Sequence, residues 1–183
     1  MSDKIELLSQ QDISITIERL CQQLIECHSN FRETILIGIQ PRGTFLNNRI
    51  IDKLNLRNTD VPIKYGNIDI SFYRDDLRRR DEPIVPAVMD INFSVEGKNI
   101  ILVDDVLYTG RSVRSAIDAV MTFGRPKSIE LLTLINRRFS RHLPIQPNYV
   151  GRTIDVLESE KVIVEWKEVV GRDRVLIVNK NNG

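Results

Sequence analysis

The stretch IILVDDVLYTGRSVRSAIDAV, residues 100–120, decides the fold. Its first four residues are aliphatic, a pattern typical of a strand that is covered on both faces in a parallel sheet. Asp104 and Asp105 follow directly, so we expect them at the carboxyl end of that strand. Beyond the turn at residues 106–110, apolar residues recur with the spacing of one buried helix face, which predicts a helix that begins near Arg111.

This strand, turn and helix together predict a site for a phosphorylated ribose. Open α/β sheets bind ligands at the carboxyl ends of their strands, where free N–H groups and the dipole of the next helix favour an anion. Gly110 lets the backbone approach a phosphate, and Thr109 and Ser112 offer hydroxyl donors. The two carboxylates can accept hydrogen bonds from ribose hydroxyls, directly or through hydrated Mg²⁺. The alternative is an ordinary turn in which Thr109 or Ser112 caps the helix and the aspartates are solvated.

The joint occurrence of these residues resembles the diphosphoribosyl-binding signature of type I phosphoribosyltransferases, and its form with Tyr108 is most similar to the PyrR group. Other stretches resemble further motifs of that family: a pyrophosphate loop, a mobile lid hairpin, a last core strand with the hood over the base, and the closing strand of the hood. They are, in that order, IGIQPRG (37–43), SFYRDDL (71–77), GRPKSIELLTLINR (124–137) with LPI (143–145) and YVG (149–151), and SEKVIV (159–164).

The alternation of strands and helices predicts an α/β fold with a parallel core sheet and helices on both faces. The predicted strands are 35–39, 63–65, 68–72, 89–93, 100–103, 129–135, 162–166 and 175–178, and the predicted helices are 14–27, 45–54 and 112–123. The resemblance implies the type I phosphoribosyltransferase fold: a mostly parallel twisted sheet flanked by helices, with a mobile β-hairpin lid and a small hood. We expect one domain over residues 1–183, with the lid at about 68–93 and the hood at about 136–183 together with the N-terminal segment.

The resemblance also implies a reaction, in which a ring nitrogen of a base displaces pyrophosphate from phosphoribosyl diphosphate. Asp104 and Asp105 would hold the ribose and, indirectly, Mg²⁺, while the turn after them would hold the 5-phosphate. The implied site residues, in chain order, are Gln40, Pro41, Arg42 and Gly43 around pyrophosphate; Tyr73, Arg74 and Arg78 in the lid; Asp104, Asp105, Tyr108, Thr109, Gly110, Arg111 and Ser112 around the ribose phosphate; and Arg137 and Val162 near the base. Taken alone, residues 40–43 also read as an ordinary turn and the lid charges as solvated surface.

Tyr108 favours a pyrimidine, because purine-salvage members of the family commonly carry an aspartate at this position. The resemblance therefore implies uracil as the base and UMP as the product, and makes a purine substrate the less favoured alternative. One stretch departs from the PyrR pattern: Asn136-Arg137-Arg138 stands where that group usually has Asp-Arg-Gly, and the loop is one residue longer before Leu143. The exchange removes a carboxylate near the base, which would slow or abolish the uracil reaction if that carboxylate assists it.

A second hypothesis is a regulator that senses uridine nucleotides and binds pyrimidine-operon mRNA, as PyrR proteins of some bacteria do. Such a function needs a basic surface, part of which Arg137, Arg138, Arg141 and His142 can supply. Glu18 and Glu26 of the N-terminal helix count against it, because they fall where RNA phosphates should lie. The family resemblance also implies a homo-oligomer, commonly a dimer.

Composition excludes several other classes of function. The 183 residues are 42% hydrophobic and carry a net charge of +1, so no global charge indicates nucleic acid or a membrane surface. No run approaches the roughly 20 apolar residues of a membrane span. Two cysteines and no signal stretch favour reduced thiols in the cytoplasm. The sequence contains neither a Walker A motif nor a dinucleotide fingerprint, and its two histidines, in unrelated contexts, indicate no catalytic triad.

Overall fold

The computed structural model describes residues 4–57, 62–70, 90 and 93–179. Its elements, in chain order, are β1 (Lys4–Leu8), α1 (Gln10–His28), β2 (Thr34–Ile39), α2 (Gly43–Arg57), β3 (Lys64–Ile68), β4 (Asn99–Leu107), α3 (Arg111–Met121), β5 (Ser128–Arg137), β6 (Tyr149–Ile154), β7 (Glu160–Glu165), α4 (Lys167–Val170) and β8 (Arg174–Asn179).

The centre of the fold is a five-stranded parallel sheet, the main sheet, with strand order β3-β2-β4-β5-β6. Successive residues of β4 point into two different cores. Ile101 and Val103 pack with α1 and α2, whereas Ile100 and Leu102 pack with α3. Both faces of the strand are therefore covered, which is why its aliphatic residues run without polar interruption. The predicted type I phosphoribosyltransferase fold, with a parallel sheet between layers of helices, is confirmed.

A second sheet, the small sheet, contains three antiparallel strands in the order β1-β8-β7. Val164 of β7 and Trp166 after it are buried in the same core as α1 and α2, so the small sheet is anchored on that face of the main sheet. The two late strands were predicted from their apolar runs. Strand β1 was not, because its first three residues are exposed and its partner β8 lies far away in sequence.

Three predicted boundaries were wrong. Strand β4 continues to Leu107 because β5 runs on beside it and pairs with it to the end, so Asp104 and Asp105 lie inside the strand and not after it. Helix α1 begins at Gln10, before the predicted start, because Ser9 and Asp12 form a capping box. The range given to the hood began too early, because residues 149–154, for which no strand was predicted, form β6, the edge strand of the main sheet.

Most of the expected lid hairpin lies outside the described residues. An isolated antiparallel bridge joins Asn67 to Asp90, with the Asn67 N–H donating to the Asp90 carbonyl at 3.4 Å. Tyr73, Arg74 and Arg78 fall outside the described ranges, and their assignment to a lid stays a prediction. In the part of the chain that is described, no helix is long and apolar enough to cross a membrane.

Candidate active site

Three chain segments meet at the carboxyl end of the main sheet. The loop before α2 follows β2, the turn before α3 follows β4, and Arg137 ends β5. Because β2, β4 and β5 are parallel neighbours, these segments lie side by side at one edge. The topology thus brings together residues that the sequence separates by up to about a hundred positions.

The first segment is the turn at residues 40–43, which packs directly against β4. Its Gln40–Pro41 peptide bond is cis, and the Gln40 N–H donates to the Ile68 carbonyl at 2.9 Å. A Cβ atom on Gly43 would lie 2.3 Å from the Val103 carbonyl oxygen, so only glycine allows this approach. Arg42 is exposed beside it, and its charge acts on both aspartates of β4.

The second segment contains the two aspartates. The Asp105 N–H donates to Asp104 Oδ1 at 2.9 Å, while Asp105 Oδ2 is buried without a hydrogen-bond partner among the described residues. Burial raises the pKa of both carboxyl groups; the Asp105 charge further raises the pKa of Asp104, and the Arg42 charge partly opposes both shifts. An ionised pair is therefore costly in the free protein and is stabilised by any ligand that brings a cation or hydroxyl donors.

The aspartates also fit the expected indirect role toward Mg²⁺. Within the described ranges, no group of three or more His, Cys, Asp or Glu side chains can hold a metal ion. Two adjacent carboxylates with one unpartnered oxygen suit an ion that takes most of its ligands from a diphosphate and water.

The turn after β4 leads directly into the start of α3. Gly110 is the N-cap residue of α3 at φ +89°, a left-handed conformation that favours glycine. Among the described residues, the N-cap position offers no side-chain hydrogen bond to this helix, although Thr109 Oγ1 accepts a long hydrogen bond of 3.4 Å from the Arg111 N–H. Neither Thr109 nor Ser112 is the N-cap, so the arrangement favours an anion at this helix start over an ordinary capped turn.

A cleft of about 900 Å³ opens between this end of the main sheet and the small sheet. Five of the residues predicted for the site line it together: Arg42, Tyr108, Ser112, Arg137 and Val162. Five more were missed: Val106, Lys161, Ile163, Val178 and Asn179. Lys161 and Ile163 could have been predicted, because they flank Val162 in sequence. Val178 and Asn179 line the cleft only because β8 pairs with β7.

Arg137 forms one wall of the cleft and is only 3% exposed. Its guanidinium carbon lies 4.2 Å from the centre of the Tyr108 ring, and Nη2 donates to the Leu157 carbonyl at 3.4 Å. Its Nε has no partner among the described residues. A buried N–H without a partner is costly, so this donor is suited to an oxygen of a bound ligand.

Asn136 and Arg141 lie next to this wall. Asn136 Oδ1 accepts a hydrogen bond of 2.5 Å from Arg141 Nη2, and Asn136 Nδ2 donates to Thr153 Oγ1 at 3.4 Å. The Asn136 amide is thus held by β6 on one side and by the loop that follows β5.

Several charges on the N-terminal helix and on the loop after β5, where an RNA surface would lie, are engaged within the protein. Glu18 pairs with Lys53 and Arg57 of α2, so its charge is neutralised. Arg19 donates to the carbonyls of Val150 and Gly151 on the open edge of β6. On the loop after β5, Arg138 forms a two-pronged ion pair with Asp155, with both distances 2.6 Å.

Comparisons with known proteins agree with this geometry. Residues 5–168 match the phosphoribosyl transferase domain family. A bifunctional PyrR protein of Enterococcus faecalis is 40% identical over 179 residues, which cover 97% of this chain and 98% of that protein. Bifunctional PyrR proteins of Bacillus subtilis and Synechocystis are 40% and 41% identical, covering 97% and 95% of this chain and 98% and 96% of their own.

Solved structures show the same fold at lower identity. A hypoxanthine phosphoribosyltransferase from Staphylococcus aureus superposes with a TM-score of 0.73 at 20% identity, covering 98% of this chain and 94% of its own. The hypoxanthine phosphoribosyltransferase of Trypanosoma cruzi gives 0.71 at 18% identity, with 95% of each chain covered.

Proposed function

The chain belongs to the phosphoribosyl transferase domain family and, within it, to the group of bifunctional PyrR proteins, and on this premise we propose that it converts uracil and phosphoribosyl diphosphate to UMP and pyrophosphate. One observation carries the proposal. A single cleft is lined by an arginine beside a glycine-dependent turn, a residue of an uncapped helix start, and a buried guanidinium stacked on a tyrosine.

The parts of the substrate follow from the chemistry of the three segments. Arg42 and its turn suit pyrophosphate, because a guanidinium offers a fixed fork of donors. The turn from Tyr108 to Ser112 suits the 5-phosphate, since the N–H groups of a helix start favour an anion. Asp104 lies beside Gly43, and both aspartates precede the second turn on β4, so they suit the ribose hydroxyls. When bound, Mg²⁺ on the diphosphate would neutralise the leaving group, with Asp104 and Asp105 holding it through substrate or water.

The bond changes are simple, and the protein needs no nucleophile of its own. The base nitrogen bonds to C1 of the ribose as the bond from C1 to the diphosphate oxygen breaks, and the electron pair leaves with pyrophosphate. The proton of the base nitrogen passes to water. Positive charge develops on the sugar in between, and the ionised pair of Asp104 and Asp105 stabilises that charge. Holding both reactants in one cleft supplies proximity.

The residues that would contact the base favour uracil as the substrate. Tyr108 and Val162 offer flat and apolar contacts to a ring, and the unpartnered Arg137 Nε offers one N–H donor. At C4, uracil presents a carbonyl oxygen that accepts such a bond, whereas cytosine presents an amino group, which cannot accept one. Specificity built on a buried polar partner is strong, because the wrong ring leaves that partner unsatisfied.

A second candidate function is a nucleotide-sensing regulator that binds pyrimidine-operon mRNA. Phe139, 84% exposed, lies 5.4 Å from the Arg138 guanidinium, and an exposed aromatic ring beside a cation is suited to stacking on a single-stranded base. The relatives are also named bifunctional. Against it, Arg19 and Arg138 are engaged within the protein, and Asp155 balances the charge of Arg138. We therefore rank catalysis first.

The proposal is tested by offering uracil, cytosine, hypoxanthine, guanine and orotate separately, each with phosphoribosyl diphosphate and Mg²⁺. UMP alone is the expected product. Inosine or guanosine monophosphate would contradict the role given to Tyr108. No nucleotide from any base, together with tight binding of UMP, would move the assignment to the regulator.

A further inference from the structure

The loop that follows β5 forms hydrogen bonds to the turn at residues 108–110, which we assign to the 5-phosphate. Arg141 Nη1 donates to the Tyr108 carbonyl. The backbone N–H groups of His142 and Leu143 both donate to the Thr109 carbonyl, at 3.0 and 3.3 Å. Three hydrogen bonds from three consecutive residues thus fix two consecutive carbonyl groups of the turn.

Fixing these carbonyl groups also fixes the direction of the N–H groups that face the ligand. In a trans peptide, the C=O and the N–H of one plane point in opposite directions. The Tyr108 carbonyl shares its plane with the Thr109 N–H, and the Thr109 carbonyl shares its plane with the Gly110 N–H. Since both carbonyls point to the loop at residues 141–143, both N–H groups point away from it, and successive N–H groups aimed one way form a concave anion site.

Arg141 also contacts the end of β5, at the residue before Arg137. Its Nη2 donates to Asn136 Oδ1 at 2.5 Å, so one half-buried guanidinium joins the end of β5 to the turn after β4. A lysine at this position keeps the charge but lacks the planar fork that presents a separate nitrogen to each of the two acceptors, so it should hold them less firmly. Because the Arg141 guanidinium makes both contacts, Arg141 is better suited to positioning the turn than to acting as a general surface charge.

From these contacts we infer that Arg141 is a positioning residue for the 5-phosphate: it orients the turn from Tyr108 to Gly110 without touching the substrate. The inference rests on the proposed function, because it needs a phosphate at that turn. It also sets Arg141 apart from an RNA-facing role, since its two terminal nitrogens are bound within the protein.

The test is calorimetric binding of two probes, UMP and magnesium pyrophosphate, to Arg141→Ala, Arg141→Lys and a control. UMP uses the turn that Arg141 supports, whereas pyrophosphate uses the turn at residues 40–43. Arg114→Ala is the control, because it removes the same charge near the same turn from a side chain that is 56% exposed and that, among the described residues, pairs with Asp118 of the same helix.

We expect Arg141→Ala to weaken UMP about tenfold, the effect of one lost charge-assisted hydrogen bond, with pyrophosphate binding unchanged. Arg141→Lys should fall between Arg141→Ala and the wild type, and Arg114→Ala should match the wild type. Equal UMP affinity in wild type and Arg141→Ala would overturn the positioning role alone. Equal loss of both probes would also overturn it, since a general structural defect would then explain the result. If the wild type binds neither probe, the proposed function itself fails, and the inference with it.

Discussion

The Arg137 guanidinium lies 4.2 Å above the Tyr108 ring, although 28 intervening residues separate the two side chains in sequence. They meet because β4 and β5 are paired to their ends, with Leu107 opposite Asn136. The next residue along each strand, Tyr108 or Arg137, therefore lies beside the other. The pair forms a wall of the cleft that combines a flat ring with a buried N–H donor.

Replacing Arg137 by lysine should weaken uracil binding in particular. Lysine keeps the charge but loses the planar stack and the Nε donor, so we expect the KM for uracil to rise about tenfold with little change in the KM for phosphoribosyl diphosphate. Steady-state kinetics with each substrate varied in turn measures this. Arg172→Lys is the matched control, because Arg172 is exposed and pairs with Glu165 away from the cleft. A rise in both KM values to the same extent would contradict a role specific to the base.

Replacing both aspartates by asparagine should abolish tight binding of phosphoribosyl diphosphate without unfolding the protein. The substitution keeps the size of Asp104 and Asp105 and removes two charges whose burial is costly, so the free energy of unfolding should not fall. We expect affinity for phosphoribosyl diphosphate with Mg²⁺ to fall about a hundredfold, the effect of losing charge-assisted hydrogen bonds at two groups. Calorimetry and thermal unfolding report the two quantities separately. Unchanged affinity would rule out the assignment of the ribose.

Asp104 and Asp105 should also make the free energy of unfolding depend on pH. Burial raises the pKa of Asp105 to about 6 from its ordinary 3.8 and raises the pKa of Asp104 as well. Between the unfolded and folded pKa values, the folded protein binds more protons than the unfolded chain, so the pair lowers the free energy of unfolding as pH rises through this window. Urea unfolding of the wild type and the double asparagine variant, at about pH 5 and about pH 7.5, should show a steeper loss of stability in the wild type. Equal losses in the two proteins would mean that the carboxyl groups titrate normally.

Gly43→Ala should damage the pyrophosphate side of the cleft. The added methyl group would lie 2.3 Å from the Val103 carbonyl oxygen, so the turn must move away from β4 at a cost of about 1 to 3 kcal/mol. Binding of magnesium pyrophosphate should fall with it. Gly97→Ala is the comparison: it strains a residue at φ +67° but meets open space far from the turn in sequence, so it should cost stability and leave pyrophosphate binding intact. Normal pyrophosphate binding in Gly43→Ala would count against this turn as the binding site.

Asn136→Asp tests whether the missing carboxylate limits the reaction. An aspartate can still accept from Arg141 and, in place of donating, can accept from the Thr153 hydroxyl, so the local hydrogen bonds should persist. A carboxylate near the base can take up the proton of the ring nitrogen, and we expect kcat for UMP formation to rise about a hundredfold, the lower end of what general base catalysis contributes. An unchanged or lower kcat would show that proton transfer to this position does not limit turnover.

Much of the fold could be predicted because its central elements carry strong local patterns. The aliphatic run of β4 and the apolar face of α3 each indicate their structure within a dozen residues. The strand β1 could not be predicted, because KIELL is short and mostly exposed and becomes a strand only through pairing with β8. The length of β4 was underestimated for a similar reason, since its last four residues depend on β5.

The site was predictable to the extent that its residues lie in recognisable turns. Arg42, Tyr108, Ser112, Arg137 and Val162, taken from separate motifs, line one cleft. Val178 and Asn179 complete that cleft but sit in a strand end with no chemical pattern, and the support of the phosphate turn by Arg141 depends on how a loop folds back. Such contacts arise from tertiary packing and leave no periodic trace in sequence.

The most direct test of the account is the transfer of radiolabel from uracil to UMP by the wild-type protein and by the double variant Asp104→Asn/Asp105→Asn, with phosphoribosyl diphosphate and Mg²⁺ added or withheld. We expect labelled UMP from the wild type only when phosphoribosyl diphosphate is present, and far less of it from the double variant under the same conditions. No labelled UMP from the wild type, or equal amounts from both proteins, would contradict the account.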